Sequence, residues 1–191
     1  MTAVTSATTE PSRTWLPRGP LTRADLEDLP SDDGHRYELI DGILIVSPGP
    51  RHVHQTVVGN LHLLLRAGCP ADLQVILAPF AVALADDTEM QPDLLVAPRS
   101  QFTERELPGP PLLAVEVLSP STRRVDLLLK RDRLQAAGVP SYWLVDPDEP
   151  SVTVLELRDG TYAQVAAAGP GQRCAVELPF PIELAPDLLL A

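Results

Sequence analysis

The sequence predicts an α/β fold with an α-β-β-β-α-β core, one β-hairpin before it and another after it. Three observations predict this. Apolar residues recur at helical spacing between residues 50 and 66, and a second helical stretch runs from 123 to 137. Short runs rich in Val, Ile and Leu lie between the two helices and again after the second. Asp-Gly pairs at 41–42 and 159–160 sit between strand-like runs, as tight hairpin turns require.

Residues 1–20, "MTAVTSATTEPSRTWLPRGP", are small, polar and proline-bearing, without the basic start and apolar stretch of a secretory signal, and read as a flexible arm. Residues 21–191 read as a single domain. "LTRADLEDLP" predicts a short helix with Thr22 as its cap and Pro30 beyond its end. "HRYELIDGILIVS" then predicts the N-terminal hairpin. Val53, Val57, Val58, Leu61, Leu64 and Leu65 form one apolar stripe on the first long helix, which Gly68 ends. "LQVILAPFAVAL" and "PDLLVAP" are strands, and "PPLLAVEVL" is a central one. The second long helix stops at Gly138 and Pro140, and "SYWLVD" is the strand after it. "DPDEP" is a polar turn, and "SVTVLEL" and "TYAQVAA" form a C-terminal hairpin that extends the sheet. Tyr142 and Trp143 belong to the core.

The chain of 191 residues is 45% hydrophobic and 21% charged, as in ordinary globular proteins. No apolar segment approaches the roughly 20 residues needed to cross a bilayer, so the expectation is a soluble, cytoplasmic protein with no membrane contact. Cys69 and Cys174 match no zinc spacing and no disulfide framework, and read as reduced thiols. A net charge of −11 argues against tight non-specific binding to nucleic acid, which would have to meet a local basic patch. Arginines do cluster, at Arg99 and Arg105 and then at Arg123, Arg124, Arg131 and Arg133. A solvated helix face explains that cluster more simply than a phosphate-binding surface does.

Glu116 interrupts the apolar run "LLAVEV". A carboxylate taken into low dielectric needs a partner that offsets its burial. Asp93 opens the preceding strand, and adjacent strands bring two such acids together. Paired carboxylates repel unless a cation lies between them, and hard oxygen ligands suit Mg²⁺ or Mn²⁺. Lys130, the sole lysine, lies on the following helix, reached through the capping residues of "SPST". Two carboxylates holding a metal, with a lysine beside them, suit phosphodiester hydrolysis. A buried Glu116–Lys130 ion pair without metal explains the same residues.

At these residues the sequence resembles a known family. "YELIDGIL", "QPDLLV", "VEVLSPSTRRVDLLLK" and "AAGVPSYWLVDP", in that order over about residues 22–165, look like the Uma2 family, grouped with restriction endonucleases in the PD-(D/E)XK nuclease superfamily. The resemblance implies a restriction-endonuclease-like core, a divalent metal (Mg²⁺ or Mn²⁺), and Asp93, Glu116 and the Val117 carbonyl as its ligands. It implies an endonuclease acting on nucleic acid, with DNA the expected substrate and a homodimer the expected assembly. Where the superfamily places its lysine, two residues after the glutamate, this chain has Leu118. Lys130 matches the family's displaced lysine, and Asp126, one turn earlier, matches a position that orients the lysine or a water. Glu38 matches a further acidic position, although an ion pair with Arg36 explains it equally well. His54 resembles a histidine on the family's first helix, whereas His52, two residues away, faces elsewhere and is a surface residue. The alternative reading is a catalytically silent protein of nuclease fold that binds nucleic acid or protein. A third is a self-associating domain using the edge of the C-terminal hairpin.

Overall fold

A computed structural model describes residues 19–30 and 33–191. The arm expected over residues 1–20 lies outside the described residues except for its last two. The first helix is a single turn, α1 (Arg23–Leu26), capped by Thr22, whose N–H donates to Asp25 Oδ2 at 2.7 Å. β1 (His35–Ile40) and β2 (Ile43–Pro48) form the expected hairpin, with Asp41 and Gly42 at φ 49° and 75°, the left-handed pair a two-residue turn demands.

Gly42 is further constrained, because a Cβ there would lie 2.8 Å from Pro20 Cβ. Gly160, in the C-terminal hairpin, has a similar φ of 79° but open space around it. Gly160→Ala is therefore expected to cost about 1 kcal/mol from backbone strain, and Gly42→Ala about 2 kcal/mol or more because steric overlap adds. Urea unfolding of both variants checks this; equal losses would contradict close packing of the turn on Pro20.

α2 (His52–Gly68) buries His54, Val57, Val58, Leu61 and Leu65, one stripe at helical spacing. Of the two runs in "LQVILAPFAVAL", β3 (Leu73–Leu77) and β4 (Ala81–Ala85) go to different sheets. β5 (Thr88–Met90), β6 (Leu94–Pro98), β7 (Glu106–Pro108) and the central β8 (Leu113–Val117) follow. Next comes a π-helical turn, Val125–Lys130, which runs into α3 (Arg131–Ala136) and stops at Gly138, φ 81°. β9 (Ser141–Asp146), β10 (Ser151–Arg158), β11 (Thr161–Ala168), β12 (Cys174–Val176), β13 (Ile182–Leu184) and α4 (Pro186–Leu189) complete the chain.

The fold is mixed α/β with two mixed sheets. The larger has the order β11-β10-β9-β8-β6-β3, with β8 and β9 parallel and its other neighbours antiparallel. It contains β3, β6, β8 and β9 of the expected core and the C-terminal hairpin, whereas the second run of "LQVILAPFAVAL", β4, lies in the other sheet. The smaller, β2-β1-β5-β4-β7, corrects the sequence reading: the N-terminal hairpin is not a separate extension but one edge of a second sheet. Two of that sheet's strands, β5 and β7, have three residues each, too short for their own periodicity to mark them.

On one face of the larger sheet, Val75, Leu94, Val96, Val115 and Val117 pack against Val57, Leu61 and Leu65 of α2. On the other, Ala114, Leu118, Tyr142 and Leu144 pack against Ile40 and Met90 of the smaller sheet and Leu134 of α3. Covered on both faces, β8 and β9 are buried along their whole length, which explains their continuous apolar runs. Tyr142 and Trp143 are fully buried there as expected.

The second helix is inverted relative to a simple amphipathic reading. Asp126 and Lys130 point inward at 1% exposure each, while Leu128 and Leu129 are 55% and 42% exposed. The π turn sets that rotation, and Tyr142 fixes it by donating its hydroxyl to the Asp126 carbonyl at 3.0 Å.

Candidate active site

The strand register builds the site. β6 and β8 pair antiparallel with Leu94 opposite Val115, so Asp93, just before β6, lies beside the end of β8 that carries Glu116. On β8, Glu116 shares a face with Ala114 and Leu118, the face turned toward the smaller sheet. On β1, Arg36 and Glu38 are two residues apart and project together toward it. α2 contributes His54, and the π turn contributes Asp126 and Lys130.

These side chains form two linked groups. Asp93 Oδ1 accepts from Arg36 Nη1 at 2.9 Å, while its Oδ2 accepts from His54 Nε2 at 3.1 Å and from the Val117 N–H at 2.8 Å. Behind them, the Lys130 ammonium donates to Glu116 Oε1 at 2.9 Å and lies 3.0 Å from Glu38 Oε2 and 3.5 Å from Asp126 Oδ1. Glu38 Oε1 accepts from the Gln91 N–H at 2.7 Å, and its Oε2 lies 3.7 Å from Arg36 Nε, so Arg36 touches both groups.

The proposed residues therefore meet: Asp93, Glu116, Glu38, Asp126, Lys130 and His54 are all buried. His52 is exposed, as its place on the other side of the helix requires. The expected Glu38–Arg36 and Glu116–Lys130 contacts are both present. Arg36 is the participant that the sequence reading left as a mere counter-ion, and the period of two along β1 was the available signal: choosing Glu38 also chooses Arg36.

Environment separates the two strand acids. Burial alone would raise Asp93, but the His54 hydrogen bond and the Arg36 charge hold its carboxyl well below the usual range. Glu116 moves the other way. Complete burial raises it against the attraction of Lys130, and Asp126, Asp93 and Glu38 add repulsion. Asp126 is raised too, chiefly by burial. For Lys130, burial opposes the charge, but Glu116, Glu38 and Asp126 keep the ammonium protonated well above the usual lysine range.

A cleft of about 790 Å³ opens beside this cluster, with Arg36, His54, Gln91, Asp93, Ser119 and Thr122 in its walls. Asp93 is in the cleft wall, whereas Glu38, Glu116, Asp126 and Lys130 are buried and do not line it.

A family model described as "putative restriction endonuclease" matches residues 23–190. The chain belongs to the Uma2 family. The crystal structure of a putative nuclease belonging to DUF820 from Anabaena variabilis is similar to this Uma2 chain, with a TM-score of 0.68 over 90% of this chain and 98% of that one. At 20% identity, that likeness shows a shared fold. Comparison with curated proteins finds no match.

The cluster fits a hard divalent cation by charge and by donor type. Four buried carboxylates, Glu38, Asp93, Glu116 and Asp126, face two permanent cations, Arg36 and Lys130, which leaves two negative charges in excess when all are ionised. Glu38 Oε2 and Asp126 Oδ1 are buried acceptors whose cationic partner is the Lys130 ammonium, at 3.0 and 3.5 Å. Among the described residues, no three His, Cys, Asp or Glu side chains are gathered to hold a metal by themselves. The donors suit an ion that keeps several waters, as Mg²⁺ does, more than a fully enclosed one. Among the described residues, no helix is long and apolar enough to cross a membrane.

Proposed function

We propose that this Uma2 protein is a Mg²⁺- or Mn²⁺-dependent endonuclease of restriction-endonuclease-like fold that hydrolyses phosphodiester bonds in DNA. The carrying observation is the pairing of β6 and β8, which brings Asp93, in the wall of an open cleft, beside the end of the strand that carries Glu116. Asp93, Glu116 and the Val117 carbonyl would hold the ion. Bound there, a divalent cation supplies an activated water and polarises a phosphoryl oxygen.

The chain's own residues do the rest. Arg36 and His54 fix Asp93 from two sides, so that its carboxylate stays ionised in the cleft wall. Lys130 keeps Glu116 oriented through Oε1, and Asp126 and Glu38 hold the ammonium in place from the other directions. The test is cleavage of plasmid and linear DNA with Mg²⁺ or Mn²⁺, against chelator controls. The expected result is metal-dependent cutting by wild type and none by Asp93→Asn; cutting that persists in Asp93→Asn would remove the assignment.

The Lys130–Glu116 contact at 2.9 Å favours a second reading, a silent nuclease-fold protein in which the pair is structural. It expects no cleavage from wild type under any divalent metal. For assembly, β11 is an outer strand of the larger sheet and offers the edge through which a homodimer would pair.

A further inference from the structure

The chain carries a net charge of −11, so a polyanion must be gripped by particular cations, not by the general field of the protein. Two arginines are candidates, one in the cleft wall and one next in sequence to a wall residue. Arg51, at the start of α2, is in the cleft wall, and Arg123 directly follows the wall residue Thr122. Both are already engaged by carboxylates of one turn, residues 146–149, between β9 and β10. Arg51 Nη2 contacts Asp148 Oδ1 at 3.0 Å and Oδ2 at 2.8 Å, and Arg123 Nη1 pairs with Asp146 Oδ2.

The two pairs differ in which partner is free to move. Asp146 is fixed, since its Oδ1 accepts the backbone N–H groups of Asp148 and Glu149 at 3.0 and 3.1 Å. Arg51 and Asp148 are each 47% exposed, and Arg123 is 46% exposed. The Arg51–Asp148 pair, exposed on both sides, is worth only about 0.2–1 kcal/mol, so a phosphodiester oxygen can take the carboxylate's place there; Asp146 is buried, and in its pair only the exposed Arg123 can turn toward a phosphate. Guanidinium groups bind phosphate with the same donor geometry they use for carboxylate. Beside them the hydroxyls of Ser119, Ser121 and Thr122, which touch one another at 2.9–3.0 Å, line the same cleft.

We propose that Arg51 and Arg123 grip the phosphodiester backbone of DNA at the cleft mouth, and that the acidic turn 146–149 occupies both until the strand displaces it. The inference rests on the nuclease reading only in taking nucleic acid as the ligand. The turn acts as a phosphate mimic. It lowers affinity for any strand that fails to engage both arginines, and so selects against loose binding.

The experiment measures binding of a fluorescent DNA duplex by anisotropy, in chelator, across a salt series. Asp148→Asn is expected to tighten binding by about two- to fivefold, the value of one exposed pair. Arg51→Ala is expected to weaken binding and to flatten the plot of log affinity against log salt by about 0.9, one phosphate contact. In the double variant the gain from Asp148→Asn disappears, because the arginine it frees is gone. An affinity indifferent to Asp148→Asn, or a salt slope indifferent to Arg51→Ala, overturns the proposal, as does absence of binding by both wild type and Asp148→Asn. Cleavage is scored separately. The expected binding pattern without metal-dependent cutting sustains this inference and removes the nuclease reading. Cutting by a protein whose binding ignores both substitutions does the reverse.

Discussion

Lys130→Met is expected to lose about 3–5 kcal/mol of folding stability at neutral pH, the cost of leaving buried carboxylates without their cation. The ammonium is 1% exposed and faces Glu116, Glu38 and Asp126 within 2.9–3.5 Å. Methionine fills similar volume, so the loss measures charge more than packing. The pH dependence has a definite sign. Glu116 and Asp126 have raised values in the folded protein, so they take up protons before ordinary carboxylates as pH falls, and the charge that Lys130 balances shrinks. The deficit of the variant is therefore greatest at neutral pH and narrows on acidification through that raised range. Urea unfolding of wild type and variant at neutral and mildly acidic pH checks both statements. An equal deficit at the two pH values would contradict the charge account.

Glu116→Gln is expected to do the opposite: keep the fold and lose the chemistry. A carboxyl whose folded value lies above its unfolded one stabilises the protein below the ordinary carboxylate range, and that contribution is lost as pH rises toward the raised value. Glutamine carries no such loss, and its amide oxygen still accepts from Lys130. The metal-free variant should thus match or exceed wild type in stability at neutral pH, with its advantage growing as pH rises. On the proposed function, in which Glu116 holds the metal, metal-dependent cleavage should fall by about a hundredfold or more, several kcal/mol of transition-state stabilisation. A variant that cut DNA at the wild-type rate would show that Glu116 has no part in the reaction.

The two residues on which these results turn were both legible before the structure. Glu116 stands out because a carboxylate inside a fully buried strand needs a partner, and Lys130 because it is the sole lysine of the chain. Asp93 followed from strand adjacency, which the register of β6 and β8 bears out. The smaller sheet was not legible. β5 and β7 have three residues each, and no periodicity can be read from such lengths, so the hairpin that carries Arg36 and Glu38 looked like an appendage. Its true place, packed through Ile40 and Met90 onto the larger sheet, is what brings Arg36 to Asp93. Nor could "VDLLLK" announce that its acid and lysine turn inward while Leu128 and Leu129 face out. Hydrophobic patterning favours the reverse, and the ion cluster beneath overrides it.

Whether this cluster of buried carboxylates is a metal site is open to direct measurement with the protein alone. Calorimetric titration of Mn²⁺ into wild type, Asp93→Asn and Glu116→Gln requires no knowledge of the DNA sequence cut. The account predicts binding by wild type that is lost in both variants. A wild-type protein that takes up no Mn²⁺, or variants that bind it as wild type does, would contradict it.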